Sequence, residues 1–430
     1  MKAKCIGVAL LLAASTAWTP AFAADLGGDC CADLEERVAE LEATTARKGN
    51  RKVSLTVSGW VNEAVLFWDD GFETNTYQVT NMVAQTRFRL VGSAKISADW
   101  SAGYLIELGI TGSRSDSATA DLDDGSGGNA VGVRHSAWYL KSKTLGKVTV
   151  GQFSTATDGL LDAHVANIGH FMGENSPAMV GAFNLRTAGG GTGPQLRNMM
   201  GGNSTDSAQI GEGNRMNVVR YDSPALAGFT LSASWGEDDQ WDVALRYAGE
   251  FSGFKLAANV GYQEWRDGNN SERNCFGPVA PKTRDQDCQQ FGVFGGLLHA
   301  PTGLFVEGGY GIRWDDNAEP ALLGEDDSST QWFVIAGIEQ KFFPIGKTTV
   351  FGGYQEWNVG SSPAGYAADV PFLNANLRAW SLGINQQIDA AAMDLYLLYR
   401  NYDGDSTNGA GVTTEYENFH QLMGGGRIQF

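Results

Sequence analysis

From about residue 53 onward, hydrophobic and polar residues alternate in segments of about ten residues, separated by turn-forming residues. Two adjacent segments show the pattern most clearly. In one, Trp241, Val243, Leu245 and Tyr247 alternate with Asp242, Ala244, Arg246 and Ala248. After Phe251-Ser252-Gly253, Phe254, Leu256, Ala258, Val260 and Tyr262 alternate with Lys255, Ala257, Asn259, Gly261 and Gln263. Successive side chains of a strand point to opposite faces of its sheet. One face is therefore apolar with aromatics at both ends, and the other is small or polar, as in a strand with lipid on one side and water on the other.

The whole chain yields sixteen such segments: 53–67, 82–97, 100–110, 132–142, 146–152, 214–222, 229–236, 240–250, 254–264, 289–299, 303–314, 330–342, 346–357, 376–388, 391–402 and 420–430. An even count is the rule for single-chain bacterial barrels. The links carry a second regularity. Ala98-Asp99, Thr144-Leu145, Ser223–Gly228, Pro301-Thr302, Pro344-Ile345 and Asp389-Ala390 are brief. The intervening links are long and polar, with one exception at Glu237-Asp238-Asp239. Tight turns at one end and extended loops at the other describe an all-β, transmembrane antiparallel barrel. A soluble sandwich has no reason to keep that alternation. The last strand ends on Leu422, Ile428 and Phe430 on one face, and a terminal aromatic suits a membrane interface.

Composition agrees with export and a barrel. Lys2 and Lys4, the apolar run Ile6 to Ala14 and the Ala21-Phe22-Ala23 motif predict a signal peptide over 1–23, too short in its apolar part to span a bilayer. Removing it takes the formal net charge from −18 to −20. So acidic a chain lacks the surplus of Lys and Arg that nucleic acid requires. At 43% hydrophobic and 11% aromatic residues it is not a disordered acidic chain. Gly at 56 of 430 is about twice its usual ~7% share. Residues 24–50 form a separate element before a barrel over 51–430. Leu34, Val38 and Leu41 lie on a heptad seam there, either as a short periplasmic three-helix tether or as a lone amphipathic helix. Cys275 and Cys288 bracket a polar loop and are a disulfide candidate in an oxidising compartment; Cys30 and Cys31 pair between subunits or stay as thiols.

The run Asp33-Leu34-Glu35-Glu36-Arg37-Val38-Ala39-Glu40-Leu41-Glu42, followed by Arg51-Lys52-Val53-Ser54-Leu55-Thr56-Val57-Ser58-Gly59, resembles the start of alphaproteobacterial general porins. Thr86-Arg87-Phe88-Arg89, Val219-Arg220-Tyr221-Asp222-Ser223-Pro224 and the terminal Phe430, similar to the assembly signal of outer-membrane barrels, extend the likeness along the mature chain. The resemblance implies a sixteen-stranded barrel in the outer membrane of a Gram-negative cell. It also implies a homotrimer among outer-membrane lipid and lipopolysaccharide, and passive diffusion of small hydrophilic solutes and ions.

The longest link, about 153–213, contains Gly189–Gly193, Asp158, Asp162, Glu174, His164 and His170. A structureless link of this length points to a functional role. By the resemblance it is the third loop, folded into the barrel to narrow the channel; the alternative is a loop that projects outward. The alternation places Arg87, Arg89 and Arg246 on wet faces, with Arg134 and Arg220 on neighbouring strands. By the resemblance, the strand arginines Arg87, Arg89, Arg134 and Arg220 face Asp158, Asp162 and Glu174 across the constriction. The net charge and the acidic runs Asp121–Asp124 and Glu325–Asp327 point to a modest preference for cations.

Catalysis finds no support. His135, His164, His170, His299 and His420 form no metal-spaced motif, the serines no nucleophile elbow, and Gly189–Gly193 lacks the Lys-Ser/Thr of a phosphate loop. No cofactor or metal is expected. The rival reading is a substrate-specific channel for a sugar or an anion, for which Trp60 and Trp138 could line a path, although tryptophan is also the ordinary girdle residue. A barrel whose loops bind partners is a third, minor reading.

Overall fold

The computed structural model describes residues 52–123, 130–172, 177–201, 209–237, 239–266, 288–315, 328–360 and 372–430. The expected signal peptide, the 24–50 element, Cys30 and Cys31 lie outside the described residues.

Sixteen strands build the wall: β1 (Thr56–Asp69), β2 (Arg87–Lys95), β3 (Trp100–Thr111), β4 (Ala130–Ser142), β5 (Gly146–Ser154), β6 (Arg215–Asp222), β7 (Phe229–Gly236) and β8 (Trp241–Phe251). They continue with β9 (Phe254–Trp265), β10 (Cys288–His299), β11 (Leu304–Asp315), β12 (Ser328–Phe343), β13 (Gly346–Val359), β14 (Asn374–Ile388), β15 (Met393–Thr407) and β16 (Phe419–Gln429). Each pairs antiparallel with the next, and β16 returns to β1, from Trp60 opposite Gln429 to Asp69 opposite His420. The sheet is therefore a closed barrel without free edges, which is the β solution to satisfying backbone groups in lipid.

All sixteen expected strands are present in the expected order. The second is shorter at its start than the pattern suggested. β1 pairs with β2 only over Thr56–Trp60; from Glu63 upward it pairs with a separate strand, Thr74–Thr80. A 3-10 turn, Met82–Ala84, divides the two, capped by Asn81 Oδ1, which accepts the Val83 N–H at 3.0 Å. Trp60 Nε1 and Asn62 Nδ2 both donate to the Ala84 carbonyl at 3.0 Å and hold the break in place.

Outward positions carry Val61, Val65, Phe67, Val243, Leu245, Leu297, Val306, Leu382, Leu395 and Leu397, all exposed. So continuous an apolar exterior would aggregate in water and suits hydrocarbon. Tight turns close the other end of the strands. Between β8 and β9, Ser252 (φ 48°) and Gly253 (φ 82°) are both left-handed, as a two-residue type I′ turn demands.

The interior is not simply wet. The described parts of the third loop (155–172, 177–201, 209–214) pack within the barrel. Leu161, Ile168, Phe171, Met179, Val180, Phe183 and Leu196 join one buried cluster with the wall residues Leu66, Trp68, Phe294, Phe333, Phe351, Leu377 and Phe419. Phe171 stacks on Tyr396 with centroids 4.7 Å apart. Each such side chain stabilises the seat by about 1.5–3 kcal/mol when fully buried, so the loop is held as firmly as a small hydrophobic core.

Candidate pore constriction

Neighbouring strands on one wall of the barrel bring four charged groups together. Registry places Arg89 of β2 opposite Glu107 of β3, and Glu107 opposite His135 of β4. Directly after that pair the register slips, Leu108 facing Val133, and Arg134 is the extra residue of the bulge. The bulge turns Arg134 toward the same acid, which simple alternation would not do. Glu107 has no exposed side-chain surface. Its Oε1 accepts Arg134 Nε at 2.8 Å and Arg87 Nη1 at 3.3 Å, and its Oε2 accepts Arg89 Nε. His135 Nδ1 stands 3.5 Å from Oε1.

The guanidiniums are steered from their other sides as well. Arg87 Nε donates to the Gln85 carbonyl at 2.9 Å and Arg134 Nη1 to Gln85 Oε1 at 2.9 Å. Arg87 and Arg89 lie 4.5 and 5.0 Å above the centroid of the Trp60 ring, with Arg427 at 5.9 Å. Cation–π attraction of about 0.5–2 kcal/mol holds them over the ring. Trp60 thus faces the lumen, whereas Trp138 is 55% exposed on the outside. With three guanidiniums on one carboxylate, these four side chains carry two surplus positive charges.

Arg220 and Arg246 sit farther round the wall and grip the start of the third loop by its backbone. Arg220 Nη1 donates to the Ser154 and Thr155 carbonyls at 3.2 and 2.8 Å, and Arg246 Nη2 to the Asp158 carbonyl at 3.1 Å. Asp158 is half-buried, and its charge reaches Arg134 and Arg246. Asp162 is exposed and meets His164 Nε2 at 2.8 Å. Glu174 and Cys275 lie outside the described residues. Cys288, at the first position of β10, is fully buried and disulfide-bonded. Phe430 rests against Gly59 and exchanges both backbone hydrogen bonds with it, at 2.9 and 3.1 Å.

The wall acids were missed by sequence reasoning. Glu107 is a lone acid in an apolar strand, and only the hairpin register opposite Arg89 could have pointed to it. Four others hold the third loop through its N–H groups or side chains. Asp242 accepts Ala156 and Thr157 N–H at 3.1 and 2.7 Å, Glu307 accepts Val165 N–H at 3.1 Å, and Glu339 accepts Asn167 N–H at 2.8 Å. Asp394 accepts Asn167 Nδ2 at 2.7 Å. Glu307 also meets His164 Nδ1 at 2.5 Å. Within the loop, Glu212 accepts Leu161 N–H at 3.0 Å. Burial first, then the charges of Asp162 and Asp158, push the Glu212 carboxyl up to about 8. Burial and the nearby Arg427 charge hold the His170 imidazole neutral, its proton affinity far below the usual range despite Asp394 at 4.0 Å.

A closed sixteen-stranded antiparallel barrel, apolar outside and charged within, is the architecture of an outer-membrane channel. The chain belongs to the Gram-negative porin family, which it matches over residues 8–424. Among solved structures it is similar to the anion-selective porin from Comamonas acidovorans, at 16% identity over 88% of this chain and 100% of that one, TM-score 0.58. OmpF of Salmonella typhi in complex with daunomycin shares 13% identity over 88% and 98% of the two chains, TM-score 0.54. In-vitro folded OmpT of Vibrio cholerae shares 14% over 89% and 99%, TM-score 0.52. No curated protein matches the chain. The family is one of non-enzymatic diffusion channels of the outer membrane.

Proposed function

We propose that this porin works as a homotrimer whose channels pass small hydrophilic solutes and, at the constriction, favour anions over cations. The observation that carries the reading is the convergence of Arg87, Arg89 and Arg134 on the single carboxylate of Glu107. The preference has the opposite sign to the one suggested by the overall charge of −20 after loss of the signal peptide. Locality explains the difference. Charges farther than about 10 Å are screened at 0.1 M salt, so an ion in the narrow part feels this cluster and not the acidic loops. The third loop, seated in a hydrophobic core, sets the width. A homotrimer is supported by the trimeric form in which one similar structure, OmpT of Vibrio cholerae, was solved. Outer-membrane lipid and lipopolysaccharide would then surround the apolar exterior.

The test is the reversal potential of the purified protein in a planar bilayer under a KCl gradient. A potential of chloride sign, reduced in Arg89→Gln, is expected; a potassium-selective potential overturns the anion assignment.

A further inference from the structure

We propose that the lumen holds a second anion subsite, below the third loop at the short-turn end of the barrel, that takes small carboxylate-bearing organic anions. The site rests on the channel reading above and adds a ligand class to it. It is a cavity of about 430 Å³ lined by Lys147, Arg220, Asp222, Ser232, Arg246 and Asn259, roofed by Gly159 and Ala163 of the loop. That volume exceeds an inorganic ion and falls in the ~300–1,000 Å³ span of small-molecule sites.

The charges inside are unequally spent. Asp222 is tied to two of the cations: Oδ1 accepts Arg220 Nη2 at 2.8 Å and Ser232 Oγ at 2.8 Å, and Oδ2 lies 3.3 Å from Lys147 Nζ as an ion pair without a hydrogen bond. Arg220 turns its remaining nitrogen to loop carbonyls. Arg246 is different. One terminal nitrogen binds the Asp158 carbonyl, while the other, Nη1, is buried with no hydrogen-bond partner. The hydrogen bond of Arg246 goes to a backbone carbonyl and not to a carboxylate, so its charge is offered to the cavity that the side chain lines, and a carboxylate is the anion a guanidinium fork fits best. The Asp158 and Asp242 carboxylates reach Arg246 electrostatically, but Asp242 is spent on the Ala156 and Thr157 N–H groups. Lys147 supplies a second cation with one ion-pair contact, and Ala257 on the inward face of β9 gives a carbon skeleton an apolar contact.

With the Arg87–Arg89–Arg134 cluster on the long-loop side, the cavity makes a second positive station along one path. Two weak stations in series suit conduction, since a solute must be held enough to enter and loosely enough to leave.

The experiment measures current through wild type and the Lys147→Gln/Arg246→Gln double variant in KCl, titrated with succinate or with neutral succinamide. Each current is normalised to that variant's own KCl current. Succinate should reduce the wild-type current saturably in the millimolar range, succinamide should not, and the double variant should lose the saturable part at least tenfold in affinity. An equal effect of succinamide, or an unaltered succinate response in the double variant, overturns the site. Should the double variant not fold, sidedness in wild type decides. Succinate added from the periplasmic side should act at a lower concentration than from the outside, and the reverse order overturns the proposal. Absence of any KCl current would overturn the channel reading and this site with it.

Discussion

Replacing Glu107 by Gln removes the carboxylate that Arg87, Arg89 and Arg134 share and leaves the wall shape nearly unaltered. The variant gains one net positive charge where ions pass. A unit charge about 6 Å from the ion path is worth about 0.7 kcal/mol in water, and ~0.1 M salt roughly halves it. Anions gain that amount and cations lose it, so the ratio of chloride to potassium permeability should rise about three- to fourfold. Arg89→Gln removes one positive charge from the same place, 36% of its side chain being exposed, and should lower the ratio by a like factor. Reversal potentials in a KCl gradient read both. The reasoning requires the two variants to move in opposite directions and both shifts to shrink in 1 M salt, where screening sets in within about 3 Å. A fall in the ratio for Glu107→Gln, or shifts of the same sign, would refute it. For Arg89→Gln stability changes less than the loss of a fully buried pair would suggest. Arg89 is partly wet, and exposed pairs are worth only about 0–1 kcal/mol.

The other expectations concern the loop and the disulfide. Glu212 is held protonated up to about 8 in the folded protein, against 4.5 for a free carboxyl. Its stabilising effect is therefore whole below pH 4.5 and is lost as pH rises through 8. Heat unfolding in detergent should show a midpoint falling from pH 5 to 9 in wild type and a flatter profile in Glu212→Gln; equal slopes would remove Glu212 from the account. Glu307→Ala deletes the acceptor of Val165 N–H and the partner of His164, and should loosen the loop by about 1–3 kcal/mol, seen as faster entry of larger sugars in liposome swelling. If Cys288 pairs with Cys275, a peptide map without reductant will contain the joined peptide, and Cys288→Ser should lower stability by up to about 3 kcal/mol.

The barrel was legible in the sequence because strand alternation has a period of two and the turns are marked by Pro, Gly and Asp. Along β8 and β9 the inward and outward sets were read residue by residue. Alternation fails where both faces are apolar, as at Trp332-Phe333-Val334-Ile335, because Phe333 and Ile335 meet the loop while Trp332 and Val334 face out. Arg134 escaped a firm assignment because a bulge breaks the period there. The acid that gathers the arginines was hidden for a different reason. Hydrogen-bond register across two hairpins is a tertiary property, and no spacing along the chain encodes that Arg87, Arg89 and Arg134 meet at Glu107. The third loop's apolar residues were visible as composition, but nothing local says which wall they press against.

The seats of that loop lie on β8, β11, β12 and β15, and Asn62 of β1 adds a hydrogen bond to the His170 carbonyl at 3.0 Å. The acid farthest along the chain, Asp394, belongs to the penultimate strand, 227 residues after Asn167, the loop residue it holds. The loop's seat is thus shared between the first half of the barrel wall and its penultimate strand. An incomplete sheet would offer the loop only part of that seat, so ring closure and loop placement are one cooperative event and not two separate ones.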